Sequence, residues 1–484
     1  MKKSIIGREQ EVEQLRNYIA SDQSEFIVIY GRRRVGKTYL IKELFYDKFT
    51  FMATGRENVS KDEQLLQFSY AMEDYFGEST VPATWTAAFR SLSKAIERQG
   101  EGPKILFIDE LPWFDTPKSD FVSALEHFWN GWAYYRHDIK LIACGSATSW
   151  MINNIINARG GLHNRATHSM LISPFSLKET EQYFLQHEFN YDRLEILDSY
   201  MAVGGVAYYL SLFDKTKSVA QNIDKLCFTK GGELTAEFSR LYKSLFKKAD
   251  SHILIVTALS STCKGLTRKA IIEKSRIADN GKLSRLLEEL ETCGFIRSYI
   301  PFGKKKKDML YQLKDQFSLF HLHFMNEKGS SGKDYWIKKI GTGEYNVWAG
   351  YAFETVCLNH IDQLTEGLGI SGMMSQPCSW SYTPNKAVKT NDEADEDLKT
   401  GAQIDLLIDR SDKTISVCEM KYANGEYEIT KAYHKRTEDR IRTFKKVTKT
   451  KKTVAMAYVT PQGLHNNMYA RMVRDQITAD VLFR

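Results

Sequence analysis

Phe26-Ile27-Val28-Ile29-Tyr30-Gly31-Arg32-Arg33-Arg34-Val35-Gly36-Lys37-Thr38-Tyr39-Leu40 is the stretch whose reading decides the fold. Its first five residues are β-branched or aromatic and read as a buried parallel strand. Gly31 to Thr38 fit the pattern G-x-x-x-x-G-K-[ST], and a helical pattern follows through Leu44. The spacing follows from the chemistry. Gly31 and Gly36 let successive backbone N–H groups point into one anion-sized hollow. A helix starting at Lys37 adds its positive end. Lys37 then reaches the β- and γ-phosphates, and Thr38 offers its hydroxyl to Mg²⁺. The expected cradle for ATP with Mg²⁺ therefore runs through Gly31, Arg32, Arg33, Arg34, Val35, Gly36, Lys37, Thr38 and Tyr39. The three consecutive arginines have no assigned task beyond a basic surface.

Working outward, Lys104-Ile105-Leu106-Phe107-Ile108-Asp109-Glu110 is a second buried strand ending in two acids. That places Asp109 where ligands sit in open α/β sheets, as a member of the Mg²⁺ shell, and Glu110 where it can polarise an attacking water. Leu141 to Ser146 form another such strand. Ser146, Thr148 or Ser149 can sense the γ-phosphate there, or simply cap a helix. Arg159 and Arg165 flank a Gly-rich loop, and either can reach a nucleotide in its own chain or in a neighbouring subunit, or be solvated. Ile5 to Glu9, with Val12 and Leu15 after them, can fold over an adenine or form a surface helix. Phe49 to Ala53 read as a strand, and residues 61–98 carry helical periodicity.

These motifs, GREQEVEQL, GRRRVGKT, ILFIDE, LIACGSATSWM and LISPFSLKE, occur in this order. Together they resemble the archaeal-type ATPase family on the AAA+/STAND side of the P-loop NTPases, whose relatives include the origin-recognition ATPases. The resemblance implies that Gly7, Arg8 and Glu9 lie on the adenine side, and that Lys37, Thr38, Asp109 and Glu110 act as argued above. It also implies a helical lid. Gly204-Gly205-Val206-Ala207-Tyr208-Tyr209 stands where the family carries Gly-Gly-x-Pro-Tyr-Tyr, with alanine in place of proline.

Residues 245–335 change texture. Helical patterns near 253–260, 266–275 and 281–292 precede an alternating strand at 294–300, a turn with Lys304 to Lys307, and a strand at 309–313. Three helices and a hairpin suggest a winged helix, with Ser284 and Arg285 on its third helix and the lysines on a wing tip suited to a phosphate backbone, or a protein adaptor with a solvated turn.

The last segment holds a second set of chemical groups. Trp348 to Val356 read as a helix carrying one inward acid, Glu354. Asn385 to Thr400 read as an acidic loop. Gln403 to Ile408 form a strand containing Asp405. Ile415 to Lys421 form its partner, with Glu419 and Lys421 on one face by two-residue alternation. Asp405 and Glu419 suit a hard divalent ion, and Lys421 can orient a water toward a phosphodiester. The D…E-x-K set resembles the PD-(D/E)XK nuclease superfamily, and Glu354 matches the acid on that fold's first helix. A basic helix over 430–452, with Lys431, His434, Lys435, Arg436, Arg440, Arg442, Lys445 and Lys446, suits a nucleic-acid backbone or a solvated face.

The bulk composition agrees with a multidomain globular chain: 484 residues, 43% hydrophobic and 26% charged. The net charge of +7 permits nucleic acid as a partner without requiring it. The seven scattered cysteines form no C-x-x-C pair, which fits a reducing, cytoplasmic setting. No apolar run reaches membrane-spanning length, and MKKSIIGREQ lacks the apolar core of a signal peptide. The expected fold is α/β: a P-loop NTPase parallel sheet over 1–172, a helical lid over 173–244, a winged helix over 245–335 and a restriction-endonuclease-like domain over 336–484. The expected function is an ATPase coupled to a Mg²⁺-dependent nuclease acting on nucleic acid, with DNA as the favoured substrate and a homo-oligomer compatible with either arginine in trans. The alternatives are a regulatory or signalling ATPase switch whose C-terminal domain binds DNA or protein without cutting, and a DNA-binding regulator.

Overall fold

Alternate residues of the strand before the phosphate loop go to opposite faces of a parallel sheet, which makes the first part of the chain a three-layer α/β structure. In the computed structural model this strand is β1 (Glu25–Tyr30), preceded by α1 (Glu9–Ala20) and followed by α2 (Lys37–Phe45). Then come β2 (Phe49–Thr54), α3 (Lys61–Phe76), α4 (Trp85–Glu97), β3 (Lys104–Asp109), α5 (Phe121–Gly131), β4 (Ile139–Gly145) and β5 (His168–Leu171). The structure describes residues 5–78, 80–157, 165–246, 248–326, 332, 334–385, 388 and 395–484. Phe26 and Val28 pack with Leu65 and Phe68 of α3, Phe89 of α4 and Leu125 of α5. Ile27 and Ile29 pack on the other side with Leu15 of α1 and Leu40 and Ile41 of α2. The strand order is β2-β3-β4-β1-β5, all parallel, so β4 separates the phosphate-loop strand from the acidic strand. The periodicity expected over 61–98 resolves into two helices. α3 starts on a Ser60–Glu63 capping box and ends at Gly77, whose φ of 71° closes the turn.

The chain divides into two units. One is Met1–Phe175 with Val206–Ser211 and Ser239–Ala249; the other is Ser176–Gly205, Leu212–Phe238 and Asp250–Arg484. This differs from the four-part reading, because the stretch expected as a separate lid is shared between them. Segment 212–238 belongs to the second unit because the Trp336 N–H donates to Asp224 Oδ1 at 2.7 Å and Phe228 stacks on Trp336 at 5.9 Å.

Within the second unit, helices Ala249–Ser260, Arg268–Ser275 and Gly281–Thr292 accompany a small antiparallel sheet of β6 (Leu266–Thr267), β7 (Ile296–Tyr299) and β8 (Leu310–Leu313), in the order β6-β8-β7. Leu283, Leu286, Leu287 and Leu290 are buried, as their stripe requires. Lys304 to Lys307 are exposed, but the turn that carries them is not a free tip. The Phe302 N–H donates to the Ser379 carbonyl at 2.8 Å, and its ring lies 5.4 Å from Phe444 beside Trp380. An apolar ring at the base of the turn docks it.

The C-terminal sheet runs β13-β12-β11-β10-β9, from β9 (Ser375–Tyr382), β10 (Ala402–Arg410), β11 (Thr414–Met420), β12 (Thr453–Thr460) and β13 (Asp475–Thr478). β9, β10 and β11 are antiparallel neighbours. β11, β12 and β13 are parallel, and helix Lys431–Thr448 supplies the crossover that a parallel β11–β12 pair needs. Within the acidic loop expected over 385–400, residues 386, 387 and 389–394 lie outside the described residues, and Glu396–Lys399 is a helical turn. Among the described residues no helix is long and apolar enough to cross a membrane.

Candidate functional site

In the first unit the loop after β1 curls around the Lys37 side chain. Gly31 has φ 142°, and a Cβ there would sit 2.2 Å from the Ile172 carbonyl oxygen; Gly36 has φ 94° and caps α2. Lys37 is buried and its ammonium donates to the carbonyls of Gly31 and Arg32, each at 2.9 Å, so the loop closes around the positive charge that phosphates would meet. The Thr38 hydroxyl lies 3.1 and 3.0 Å from the two Asp109 carboxylate oxygens. Burial, and then the neighbouring charge of Glu110, push the Asp109 carboxyl above its ordinary range. A hydroxyl and an underneutralised carboxylate side by side are suitable donor chemistry for Mg²⁺. Glu110 has φ 47°, which turns it out of the strand, and its carboxylate accepts from the Ser146 hydroxyl at 2.8 Å and the Ser146 N–H at 3.3 Å. Of the three candidates at the end of β4, Ser146 is therefore the one that holds Glu110. Gly31→Ala is expected to weaken ATP binding by roughly tenfold or more, because the new methyl must displace the Ile172 backbone; titration of a fluorescent ATP analogue checks it.

The remaining expectations around the nucleotide separate. Arg32 and Val35 are buried, Arg33 and Tyr39 are exposed, and the Arg34 guanidinium lies 4.4 Å over the Tyr208 ring while its carbonyl accepts the Tyr208 N–H at 3.3 Å. The Tyr208 contact ties the phosphate loop to the Gly204–Tyr209 motif, a link that sequence spacing cannot reveal. Arg8 is buried, has φ 62°, donates to the Ser173 carbonyl at 2.5 Å and sits 4.9 Å over Phe175. Its guanidinium thus staples the segment after Gly7 to the chain beyond β5. The expectation that Arg165 reaches the nucleotide of its own chain needs correction. Arg165 precedes β5, whose His168 pairs with Ile27 near the start of β1, and its guanidinium lies over Tyr134, just ahead of β4. That is the end of the parallel strands opposite the phosphate loop. Arg159 lies outside the described residues.

The second unit brings together the four groups singled out at the C-terminus. The β10–β11 register pairs Leu406 with Cys418, so Asp405 comes next, opposite Glu419. The β9–β10 pairing shifts register between Ile404 and Leu407, so Asp405 and Leu406 lie in an irregularity of that pairing. Lys421 Nζ is 2.8 Å from Glu419 Oε1 and Arg440 Nη1 is 2.7 Å from Glu419 Oε2. Tyr433 donates its hydroxyl to Glu419, and Gln403 donates to Asp405. Burial raises the Glu419 carboxyl, but Lys421 and Arg440 outweigh it and hold the group below its ordinary range. Glu354, on helix Gly343–Asn359, is pushed up to about 8 by burial and by the charges of Asp405 and Glu419, against the pull of Lys421 and Lys264.

Sequence reasoning counted Arg440 among the basic surface residues and passed over Tyr433. Their spacing of seven, two helical turns, was the available sign that both share one face. Other cations of that helix are already paired: Lys446 with Asp395 and Asp397, and Arg442 with Asp397 and Asp439. Oxygen donors from Glu354, Asp405 and Glu419 suit a hard cation. As placed, however, no group of three or more His, Cys, Asp or Glu among the described residues is assembled to hold one, and Glu419 is engaged by Lys421, Tyr433 and Arg440.

Residues 5–213 match the family described as an ATPase domain predominantly from Archaea. These residues are thus similar to an archaeal-type ATPase domain, and the loop from Gly31 to Thr38 lies within them. Among curated proteins, an uncharacterized protein of Methanocaldococcus jannaschii is 25% identical over 377 residues, which are 75% of this chain and 78% of that one. Among solved structures, the Walker-type ATPase of Pyrococcus abyssi is similar with a TM-score of 0.49 and 17% identity, over 66% of this chain and 96% of that one. The ORC2 protein of Aeropyrum pernix, solved with ADPNP and ADP, is similar with a TM-score of 0.39 and 12% identity, over 70% of this chain and 96% of that one.

Proposed function

We propose that the chain is an ATP-hydrolysing switch that controls a divalent-cation-dependent nuclease centre acting on DNA. Lys37 and the amides of Gly31 to Thr38 hold the phosphates, Thr38 and Asp109 face the Mg²⁺ that accompanies ATP, and Glu110, held by Ser146, orients the attacking water. Gly7 and the backbone of Arg8 border the adenine, Arg8 through the Ser173 anchor. Residues 250–313 are read as a winged helix whose order of three helices and a hairpin suits a duplex. Asp405 and Glu419 are the proposed ligands of the cation in the C-terminal domain. A cation bound there supplies charge stabilisation at the scissile phosphate. Lys421 orients the water, and Glu354, whose carboxyl is pushed up to about 8 without a cation, borders the same cluster and gains its charge when a cation binds. The single observation that supports cutting over mere binding is the β10–β11 register, which brings Asp405 opposite Glu419 two residues before Lys421 in a largely buried strand pair. The engagement of Glu419 by Arg440 and Tyr433 favours the second reading, a binding platform that does not cut.

The test is incubation of the purified protein with linear, circular and single-stranded DNA and with RNA, in Mg²⁺ or Mn²⁺, with and without ATP. Cutting that disappears in Lys421→Ala supports the nuclease, and its change with ATP and in Lys37→Ala gives the direction of control. Intact substrates beside measurable ATP hydrolysis would replace the nuclease by the platform.

A further inference from the structure

Lys421 is held from two sides. Its own N–H donates to the Val459 carbonyl at 2.9 Å, across from β11 to β12. Its chain neighbour Tyr422 donates its hydroxyl to Asp198 Oδ1 at 2.6 Å, and the Tyr345 hydroxyl lies 3.5 Å from that of Tyr422. The Tyr422 ring also lies 6.1 Å from Phe353, the residue before Glu354. Asp198 comes from helix Arg193–Val203, far away in sequence and without any motif of its own. Its carboxyl is raised to about 7, mainly by burial and further by Asp192 and Glu195.

A buried carboxylate is a costly way to fasten a helix to a strand end, since apolar residues of similar size do so without desolvating a charge. What it adds is direction: a phenol held at 2.6 Å fixes the orientation of the residue next to Lys421. The same helix is anchored at its start by a capping box between Asp192 and Glu195. It ends at Gly204, with φ 65°, and four residues later the chain reaches Tyr208, the partner of Arg34 in the phosphate loop.

We propose that Asp198 is a positioning residue for the Lys421 centre, acting through Tyr422, and that it makes this centre responsive to the chain segment that binds the phosphate loop at Tyr208. The inference rests on the nuclease reading for its main readout. With Asp198 in place, the Tyr422 phenol is held and the Lys421 ammonium stays on Glu419. Without it, the strand end after Met420 loses one of its two anchors.

The experiment uses the full chain with Asp198→Ala, Tyr422→Phe, the double variant and Asp198→Asn, whose amide oxygen still accepts from the phenol. Asp198→Ala and Tyr422→Phe are each expected to lower kcat for DNA cleavage roughly tenfold with KM within about twofold, to lose the effect of ATP on cleavage, and to leave DNA-free ATP hydrolysis within about twofold. The double variant should be no worse than either single, the sign of one shared contact, and Asp198→Asn should recover most of the rate. Additive losses, unchanged cleavage, or ATP hydrolysis falling in parallel would overturn the proposal. A second readout does not need cleavage: the rate at which Lys421 is acylated by an amine reagent, followed by peptide mass spectrometry with and without ATP. It should rise in Asp198→Ala and Tyr422→Phe and depend on ATP only when both residues are present. If no substrate is cut but this pattern appears, the nuclease reading fails and the positioning role stands. If Lys421 reactivity is the same in all variants, the positioning role fails whatever the substrate.

Discussion

Glu110→Gln is expected to slow ATP hydrolysis by at least about 100-fold while ATP binding stays within about threefold. The amide keeps an oxygen for the Ser146 hydroxyl and N–H, so the side chain stays in place; what is lost is the negative charge proposed to orient and polarise water. Lys37 and Thr38, the groups proposed to meet the phosphates and Mg²⁺, are untouched. Phosphate release measured by a coupled assay, beside binding of a fluorescent ATP analogue, separates the two effects. A fall in binding equal to the fall in rate would assign Glu110 to the nucleotide cradle instead. Ser146→Ala should act in the same direction and more weakly, because Glu110 keeps its charge but loses its holder.

Glu354→Gln is expected to stabilise the cation-free protein increasingly as pH rises. The folded-state carboxyl is pushed up to about 8, well above its value in an unfolded chain, by burial and by Asp405 and Glu419. A carboxyl raised in this way binds its proton more tightly in the folded state. Between about pH 4.5 and 8 the wild type therefore loses stability, because the unfolded chain releases the proton that the folded protein keeps, and the neutral glutamine does not. With about 1.4 kcal/mol for each tenfold change in proton affinity, and allowing for partial solvent access, the gain is on the order of 3 kcal/mol at pH 8 and above, and negligible near pH 4. Denaturant unfolding in chelator at pH 5, 7 and 8.5 checks it. Equal stability of both proteins at pH 8.5 would mean that Glu354 is not crowded by Asp405 and Glu419. Added Mg²⁺ should narrow the difference, since a cation among these carboxylates favours their ionised forms.

How far the sequence reached depended on whether a property was local. The run Phe26 to Tyr30, the two glycines at 31 and 36, and Asp109-Glu110 at a strand end each state their conformation in the residues themselves, because backbone sterics and two-residue alternation act over a few positions. The parallel sheet, the phosphate loop and the helices that follow are legible for that reason, as is the strand pair carrying Asp405, Glu419 and Lys421. The strand order, with β4 between β1 and β3, was not, since parallel neighbours are chosen by packing across long connections.

Tertiary structure alone decided the rest. It set Arg165 at the far end of the sheet from the phosphate loop, docked the lysine-bearing turn through Phe302, and divided the lid between two units. It turned Arg440 inward to Glu419, shifted the β9–β10 register between Ile404 and Leu407, and brought Asp198 to Tyr422 across 224 positions of chain. Each of these is a contact between groups far apart in sequence, fixed by which apolar surfaces bury one another and which buried charges must then find partners. A linear pattern specifies that such surfaces and charges exist; the folded chain selects which of them meet.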